Sequence, residues 1–359
     1  MSAVNLDGTL LRWYRRRRRD LPWRRTRDPY AIWIAETMLQ QTRSETVLRY
    51  YPRFLARFPT LSSLARARES AVLAAWSGLG YYARAHNLRW AARRIVERHD
   101  GRMPRGVEAL RALPGIGRYT AGAVASIAFG VRTPVLDGNV ARVLARWFAV
   151  CGPVRSHSVM RSLWRKAERL VHRSAPGDWN QALMELGATV CTPRAPACGR
   201  CPVRRGCAAH RAGRVDHFPE VARRPAMHRV RRVCVVLEAG DRVLMVQRDR
   251  ERLLRGLWEF PGVDLVPDEA PQASARVILK RLGAKRPRLR PAGSFLHTIT
   301  NRRIQTFVFG VSIARGEPRT IPQARWLRRD ALARLPLSAA GLRIAARLAQ
   351  SRRDSRPRR

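Results

Sequence analysis

Four cysteines stand within 17 residues of this 359-residue chain, spaced Cys191-x6-Cys198-x2-Cys201-x5-Cys207. Four thiolates so close in sequence can wrap one metal centre. Zinc favours paired Cys-x2–4-Cys knuckles separated by a longer loop. This run has one short pair and no second knuckle, which fits a four-iron cluster better; a zinc loop is the alternative. Arg194, Arg200, Arg204 and Arg205 lie in the same run, so a metal-clamped cationic loop would suit phosphate contact rather than catalysis.

Two carboxylates attract attention for different reasons. Glu36 lies in Ile32-Trp-Ile-Ala-Glu-Thr-Met-Leu39, an otherwise nearly apolar helical run. Burial there would raise its pKa, as a general acid working near neutral pH requires; a Glu facing solvent or pairing with Arg is the plain alternative. Asp137, in Val135-Leu-Asp-Gly-Asn-Val140, precedes a helical run and on its own reads as an N-cap, a role Asn139 could share. Twenty residues before it is Gly117, in Leu113-Pro-Gly-Ile-Gly-Arg-Tyr-Thr-Ala121. Gly115 and Gly117 permit a tight turn between helices, whose free N–H groups can face a phosphate. Gln40, Gln41 and Thr42 are polar groups suited to entering a base stack, and Gly80-Tyr81-Tyr82-Ala-Arg84 offers aromatic faces beside a cation.

The elements that must position these groups fall into two parts. Residues 1–207 read as helical: apolar side chains recur at three and four, as in Ile32, Ala35, Met38, Leu39 and again Val47, Leu48, Tyr51, Phe54, Leu55, Phe58. Residues 208–228 carry Gly, Pro and Arg and read as a linker. From Arg229 the pattern turns β-rich. Strands are expected at Val230–Leu237 and Arg242–Gln247 as a hairpin, then at Gly293–His297 and Ile304–Ile313. Helices are expected at Gln272–Leu282 and Leu332–Gln350, and 351–359 is a basic tail. The expected fold is thus an all-α domain, a linker, and a smaller α/β domain over 229–350.

Composition sets the partner class. The 71 Lys and Arg against 26 Asp and Glu give a net charge of +45, and only Lys166, Lys280 and Lys285 are lysines. Such a chain needs a polyanion or an anionic surface as its neighbour. Hydrophobic residues make up 45%, enough for ordinary cores, so a mainly disordered chain is excluded. No apolar run approaches a membrane span and the N-terminus has no signal core, so a cytoplasmic protein without membrane contact is expected.

Taken in order, Glu36-Thr-Met-Leu-Gln-Gln-Thr42, Gly78-Leu-Gly-Tyr-Tyr-Ala-Arg84, Leu113–Gly122, Leu136-Asp-Gly-Asn-Val140 and the four cysteines resemble the adenine-specific (MutY-type) branch of the helix–hairpin–helix DNA glycosylases. The resemblance covers nearly the whole chain. It implies one [4Fe-4S] cluster on Cys191, Cys198, Cys201 and Cys207. The partner it implies is double-stranded DNA carrying A:8-oxoguanine or A:G mispairs, bound by a nucleoid-associated bacterial monomer. Adenine would be flipped from the stack. Glu36 would protonate it, and Asp137 would stabilise the oxocarbenium-like sugar, as paired carboxylates do in glycosidases. Asn139 and Tyr119 would position the sugar and water. By the same resemblance Arg19, Leu21, Trp23 and Glu185 line the adenine pocket, Gln41 and Tyr81 wedge the stack, and Thr42 and Leu79 touch the opposing base. Gly115 and Gly117 would meet the DNA phosphates.

Endonuclease III, a related glycosylase and lyase, has a nucleophilic Lys where this chain has Tyr119. A Schiff base needs an amine, and residues 1–165 contain no Lys, so a monofunctional glycosylase is expected.

Gly256-Leu-Trp-Glu-Phe-Pro-Gly262 opens a Nudix-like frame. Gly262, Arg276 and Gly283 keep its places, with Asp268 at the first acidic position. Val277, Lys280 and Arg281 replace the later magnesium-binding glutamates, so diphosphate hydrolysis is not expected. The domain is instead expected to bind DNA around the lesion. The family's Phe-Ser-His loop is replaced by Ile299-Thr300-Asn301, where Thr300 retains a hydroxyl toward the lesion; a plain hairpin turn is the alternative for this stretch. Three competing readings are a glycosylase for another base, a non-catalytic iron–sulfur DNA-binding protein, and a Nudix hydrolase fused to a DNA-binding domain. Glu36 in its Gln-Gln-Thr context, the pairing of Glu36 with Asp137, and the missing glutamates argue against them in turn.

Overall fold

The computed structural model describes residues 3–220, 226–248, 254–284, 287–313 and 323–354. The chain forms two compact units. One comprises Met1–Arg66 with Asn87–Arg223, the other Ala67–His86 with Arg224–Arg359. The division is therefore not the simple N-to-C order that composition suggests: a twenty-residue piece of the helical sequence belongs with the C-terminal part.

The first unit is helical. Its centre holds four helices, Pro29–Leu39, Arg118–Phe129, Gly138–Trp147 and Pro176–Thr189. Asp28 caps the first of them by accepting from Tyr30 N and Ala31 N, and Pro29 occupies the first turn, where no N–H is missed. Its residues Tyr30 through Met38 are all buried, Glu36 among them. Three glycines let backbones meet. A Cβ on Gly122 would lie 2.4 Å from Pro134 O, one on Gly177 2.6 Å from Ser126 O, and one on Gly187 2.6 Å from Asn139 Cβ.

Residues 208–220, expected as linker, pack onto this unit. Ala208–Arg211 is a short helix, and the buried Arg146 guanidinium donates to Val215 O at 3.1 Å and Phe218 O at 2.7 Å. Gly152 N is capped by Glu220 Oε1 at 2.8 Å. A buried guanidinium needs acceptors, and these carbonyls supply them. The rest of the expected linker includes 221–225, outside the described residues, and then 226–228, where His228 opens the first strand.

The second unit is a sheet between helices. Its strands are β1 (His228–Ala239), β2 (Arg242–Gln247), β3 (Trp258–Glu259), β4 (Gly262–Asp264), β5 (Arg290–Ile299), β6 (Arg302–Ser312) and β7 (Ala324–Arg328). The order β3-β2-β1-β6-β5 forms the sheet, with β4 paired to β1 and β7 to β2. Only β1 and β6 run parallel among these pairs. Alternation along β1 feeds both faces. Val233, Val235 and Leu237 pack with Ala275, Ile278 and Leu279 of the helix Pro271–Arg281. Cys234 and Val236 face the other way, into a core with Phe260, Leu337 and Ile344. The strands β1, β2, β5 and β6 lie within a few residues of the expected ones, whereas β3, β4 and β7 are short or unanticipated. The last helix, Ala339–Asp354, starts later than expected because residues 329–334 form a separate 3₁₀ turn. Of the expected tail, 351–354 belong to that helix and 355–359 lie outside the described residues.

The close approach at Gly187 has a direct consequence. Gly187→Ala would force the Gly138–Trp147 helix, with Asn139 at its start, away from its neighbour. Destabilisation of about 1–3 kcal/mol is expected, measured by urea unfolding. Unchanged stability would show that the two helices can separate freely.

Candidate active site

The helix Pro29–Leu39 and the helix Arg118–Phe129 bring two predicted groups into contact. The Tyr119 hydroxyl donates to Glu36 Oε2 at 2.6 Å and lies 3.2 Å from Met184 Sδ. Glu36 is 4% exposed. Burial pushes its pKa up to about 7; the Tyr119 hydrogen bond opposes this, the Asp137 charge adds to it, and the Arg24 charge again opposes it. Tyr119 itself is pushed well above its usual value, first by burial and then by the charges of Glu36 and Asp137, so it stays a neutral donor.

Asp137 is the N-cap of the helix Gly138–Trp147. Its Oδ1 accepts from Val140 N at 2.7 Å, and its Oδ2 accepts from Asn139 Nδ2 at 3.0 Å. Burial raises its pKa, opposed by these hydrogen bonds and by Arg142. The plain N-cap reading holds: the cap bonds orient the carboxylate, and the helix N-terminus favours its charge.

Behind Asp137 runs a chain of hydrogen bonds. Arg142 Nη2 donates to Asn139 Oδ1 at 2.8 Å and to Gly187 O at 2.7 Å, while its Nε donates to Cys191 O at 2.8 Å. Arg146 Nη1 lies 3.4 Å from Cys191 Sγ and donates to Thr192 O at 2.7 Å. Cys191, Cys198, Cys201 and Cys207 line one pocket, with Arg146, Pro196 and His210. Among the described residues, no three His, Cys, Asp or Glu side chains converge so as to hold a single metal ion. Burial pushes the Cys201 thiol up to about 12, a cost that a bound cation holding the thiolate would offset.

Glu185 is fully buried. Burial alone would raise its pKa, but hydrogen bonds from Arg19 and Arg24 hold it down at about 2. Arg19 donates from Nη2 at 2.8 Å and Nε at 2.9 Å, and Arg24 from Nη2 at 2.7 Å. Leu21 and Trp23 are buried beside these arginines in sequence, with Trp23 edge-on to Tyr51 at 5.4 Å between ring centroids. Gln41 is exposed with a left-handed φ of 56°, and Thr42 N closes the turn onto Leu39 O at 3.3 Å. Gly115 takes a φ of 74° against Asn87, and Gly117 caps the next helix with open space around its Cα.

In the second unit, Tyr81 is exposed and Leu79 is buried. Thr300 sits with φ 53° at the tip of a two-residue hairpin between β5 and β6, as the plain-turn alternative has it. Its hydroxyl donates to Ile299 O at 2.7 Å. In the Nudix-like frame, a Cβ on Gly262 would lie 2.6 Å from Val233 O, and Gly283 has a φ of 77° just after the helix.

Arg24, Arg142 and Arg146 were not singled out from the sequence. No signal distinguished them, because nearly all of the 71 cationic residues are arginine.

This is the arrangement of a base-excision DNA glycosylase. Residues 34–169 match the family described as "HhH-GPD superfamily base excision DNA repair protein", and residues 232–347 match the NUDIX domain. Adenine DNA glycosylase of Homo sapiens is 40% identical over 382 residues, covering 90% of this chain and 70% of that one. The Arabidopsis thaliana adenine DNA glycosylase is 38% identical over 352 residues, covering 83% and 56%. Among solved structures, a thermostable thymine-DNA glycosylase is 32% identical with a TM-score of 0.54, covering 58% of this chain and 97% of that one. A non-covalent endonuclease III–DNA complex, at 20% identity and a TM-score of 0.50, covering 59% and 98%, shares the fold. The chain belongs to the adenine DNA glycosylase family, N-glycosyl hydrolases of base excision repair. No helix among the described residues is long and apolar enough to cross a membrane.

The Glu36 environment fixes a pH dependence. A Glu side chain ordinarily titrates near 4.5, and Glu36 at about 7. Between those values the unfolded chain releases a proton that the folded chain keeps. The stability contributed by the neutral carboxyl is therefore full below the lower value and lost as pH rises through the upper one. Glu36→Gln removes that loss, so the thermal midpoint of the variant should exceed that of wild type by more at about pH 8 than at about pH 5. A difference that does not grow with pH would mean Glu36 is not held neutral.

Proposed function

We propose that the protein is a monofunctional glycosylase that removes adenine from A:8-oxoguanine and A:G mispairs in double-stranded DNA, acting as a monomer. The observation that carries the mechanism is the buried Glu36 carboxyl, pushed up to about 7 beside the Tyr119 hydroxyl. A carboxyl that keeps its proton near neutral pH can give it to a ring nitrogen of the flipped adenine. The N-glycosidic bond then breaks with its electron pair leaving on the protonated base. Asp137 stabilises the resulting oxocarbenium-like sugar through its charge or by a transient bond. Water adds to the sugar carbon and loses a proton, leaving an abasic site. Tyr119 and Asn139 hold the two carboxyls in place and position sugar and water.

Arg19, Leu21, Trp23 and Glu185 line the adenine pocket, in which Glu185 keeps both arginines fixed. Gln41 and Tyr81 wedge the opened stack, Thr42 and Leu79 meet the opposing base, and the N–H groups at Gly115 and Gly117 bind phosphate. The site for a cluster fits one [4Fe-4S] group: four half-buried thiols line one pocket, and their spacing, with one short pair and no second knuckle, suits a four-iron centre better than a single zinc. Cys191, Cys198, Cys201 and Cys207 would hold it, and its chemistry here would be to clamp a cationic loop for DNA binding. Tyr119 has no amine for a Schiff base, which supports release without lyase cleavage. The C-terminal domain binds the lesion strand, with Thr300 offering its hydroxyl, and does not hydrolyse diphosphates.

Single-turnover incubation with an A:8-oxoguanine duplex, split with and without alkali, tests this reading. Breakage only after alkali is expected; breakage without it would indicate lyase chemistry, and none in either would move the assignment to another base. Glu36→Gln should reduce release by about 10²–10⁴-fold while duplex binding persists. Asp137→Asn should lower it by at least ~10²-fold, and near-normal turnover there would remove Asp137 from the mechanism. Binding should weaken steeply with salt.

A further inference from the structure

The turn Gly78-Leu79-Gly80-Tyr81 is held in an uncommon conformation. Gly78 has a φ of 91°, Gly80 of 78° and Tyr81, which carries a side chain, of 49°. Such backbone persists only where its surroundings over-determine it. Here the surroundings are identifiable. Trp76 Nε1 donates to Gly80 O at 3.0 Å, and Arg84 Nη2 donates to the same oxygen at 2.9 Å. The Arg84 guanidinium lies over the Tyr81 ring at 5.4 Å and over the Trp76 ring at 5.2 Å. Every supporting side chain is buried, whereas Tyr81 is 46% exposed.

The support continues into a distant part of the sequence. The buried Tyr82 hydroxyl accepts from Gly78 N at 2.9 Å and donates to Leu337 O at 2.7 Å. Ser77 Oγ donates to Leu337 O at 3.2 Å and accepts from Leu337 N at 3.3 Å. Both polar groups of one residue, 255 and 260 positions away, are thus read by the two side chains flanking the turn. Leu337 is itself immobilised. Its side chain is fully buried with Trp258, Phe260 and Ile344, and the adjacent Ser338 caps the last helix by accepting from Gly341 N at 3.1 Å. A second tie lies alongside: His86 Nε2 is 3.1 Å from Arg255 O, while its Nδ1 is 2.9 Å from Glu69 Oε1. This is why 67–86 and 224–359 form one unit.

We propose that Tyr82 and Ser77 are positioning residues for stack opening: by gripping the Leu337 peptide they let the C-terminal domain hold the Gly78–Tyr81 turn in the form that presents Tyr81 to DNA. This rests on the reading of Tyr81 as a stack wedge. A domain that has lost the acidic residues of its hydrolase frame thereby gains a part in catalysis without touching the reacting base. A rigid wedge delivers its contact energy to the opened duplex, whereas a loose one spends part of it on ordering the turn.

The test uses the full-length protein and the variants Tyr82→Phe and Ser77→Ala. Tyr82→Phe keeps the ring in its packing and removes only the hydroxyl; Ser77→Ala is the milder control for folding. Three quantities are read: single-turnover adenine release from an A:8-oxoguanine duplex, release from a duplex with the adenine opposite an abasic-site analogue, and fluorescence of 2-aminopurine placed at the target position. Losing two hydrogen bonds of ordinary strength should slow release from the mispair about tenfold in Tyr82→Phe, with a smaller 2-aminopurine rise. Release from the unpaired adenine, where less stack must be opened, should stay within about twofold of wild type. Equal losses on both duplexes with a normal fluorescence rise would make Tyr82 merely structural and overturn the proposal. So would values for both variants indistinguishable from wild type. Failure of the wild-type protein to release adenine would instead overturn the proposed function, and the fluorescence arm would still report whether the clamp assists opening.

Discussion

The site is built around two carboxyl groups, Glu36 and Asp137, whose surroundings differ. Glu36 is enclosed by an apolar helix whose every neighbour along the chain is buried. With no water to solvate a charge, its proton is retained near neutral pH. Asp137 is half-buried, and it meets a backbone N–H, an amide and the start of a helix. Those donors favour its charged form. A charge on Asp137 also makes ionisation of Glu36 harder. Burial raises the pKa of both carboxyls, and at Asp137 the hydrogen-bond donors oppose that rise.

Holding that asymmetry requires rigidity over some distance. Asn139 fixes Asp137, Arg142 fixes Asn139, and the same guanidinium reaches the carbonyls of Gly187 and Cys191. The orientation of the Asp137 cap is therefore tied to the start of the cysteine loop through Asn139 and Arg142. Gly187 matters because it allows the two helices to approach closely enough for one arginine to serve both. Glu185, two residues before Gly187 on the same helix, does the equivalent for Arg19 and Arg24.

Much of this was legible in the sequence because the relevant groups are chemically rare there. A carboxylate within an apolar run, one glycine pair before a helix, and four cysteines in 17 residues stand out from their background. The arginines do not. Arg24, Arg142 and Arg146 are buried or half-buried and fully engaged, but in an arginine-rich chain nothing separates them from solvent-facing ones. Long-range pairing was also invisible. The piece 67–86 looks like helical sequence and holds the helix Glu69–Trp76, yet its partners are Leu337 and Arg255. Residues 208–220 look like linker by composition, and only the captured carbonyls of Val215 and Phe218 make them part of a domain.

The C-terminal frame shows why a fold can outlast a chemistry. Gly262 must remain small because β1 passes within 2.6 Å of where its Cβ would be. Gly283 must accept a left-handed backbone to end the helix Pro271–Arg281. Substitution at either position would disturb the sheet or its covering helix. Val277, at one of the former acidic positions, is exposed and outside both apolar cores. Arg276 is exposed as well. A carboxylate at the position of Val277 would serve a metal and nothing else, so its replacement costs the fold little. What persists is the set of residues on which packing depends, and that scaffold supplies a fixed peptide at Leu337 on which another loop can be braced.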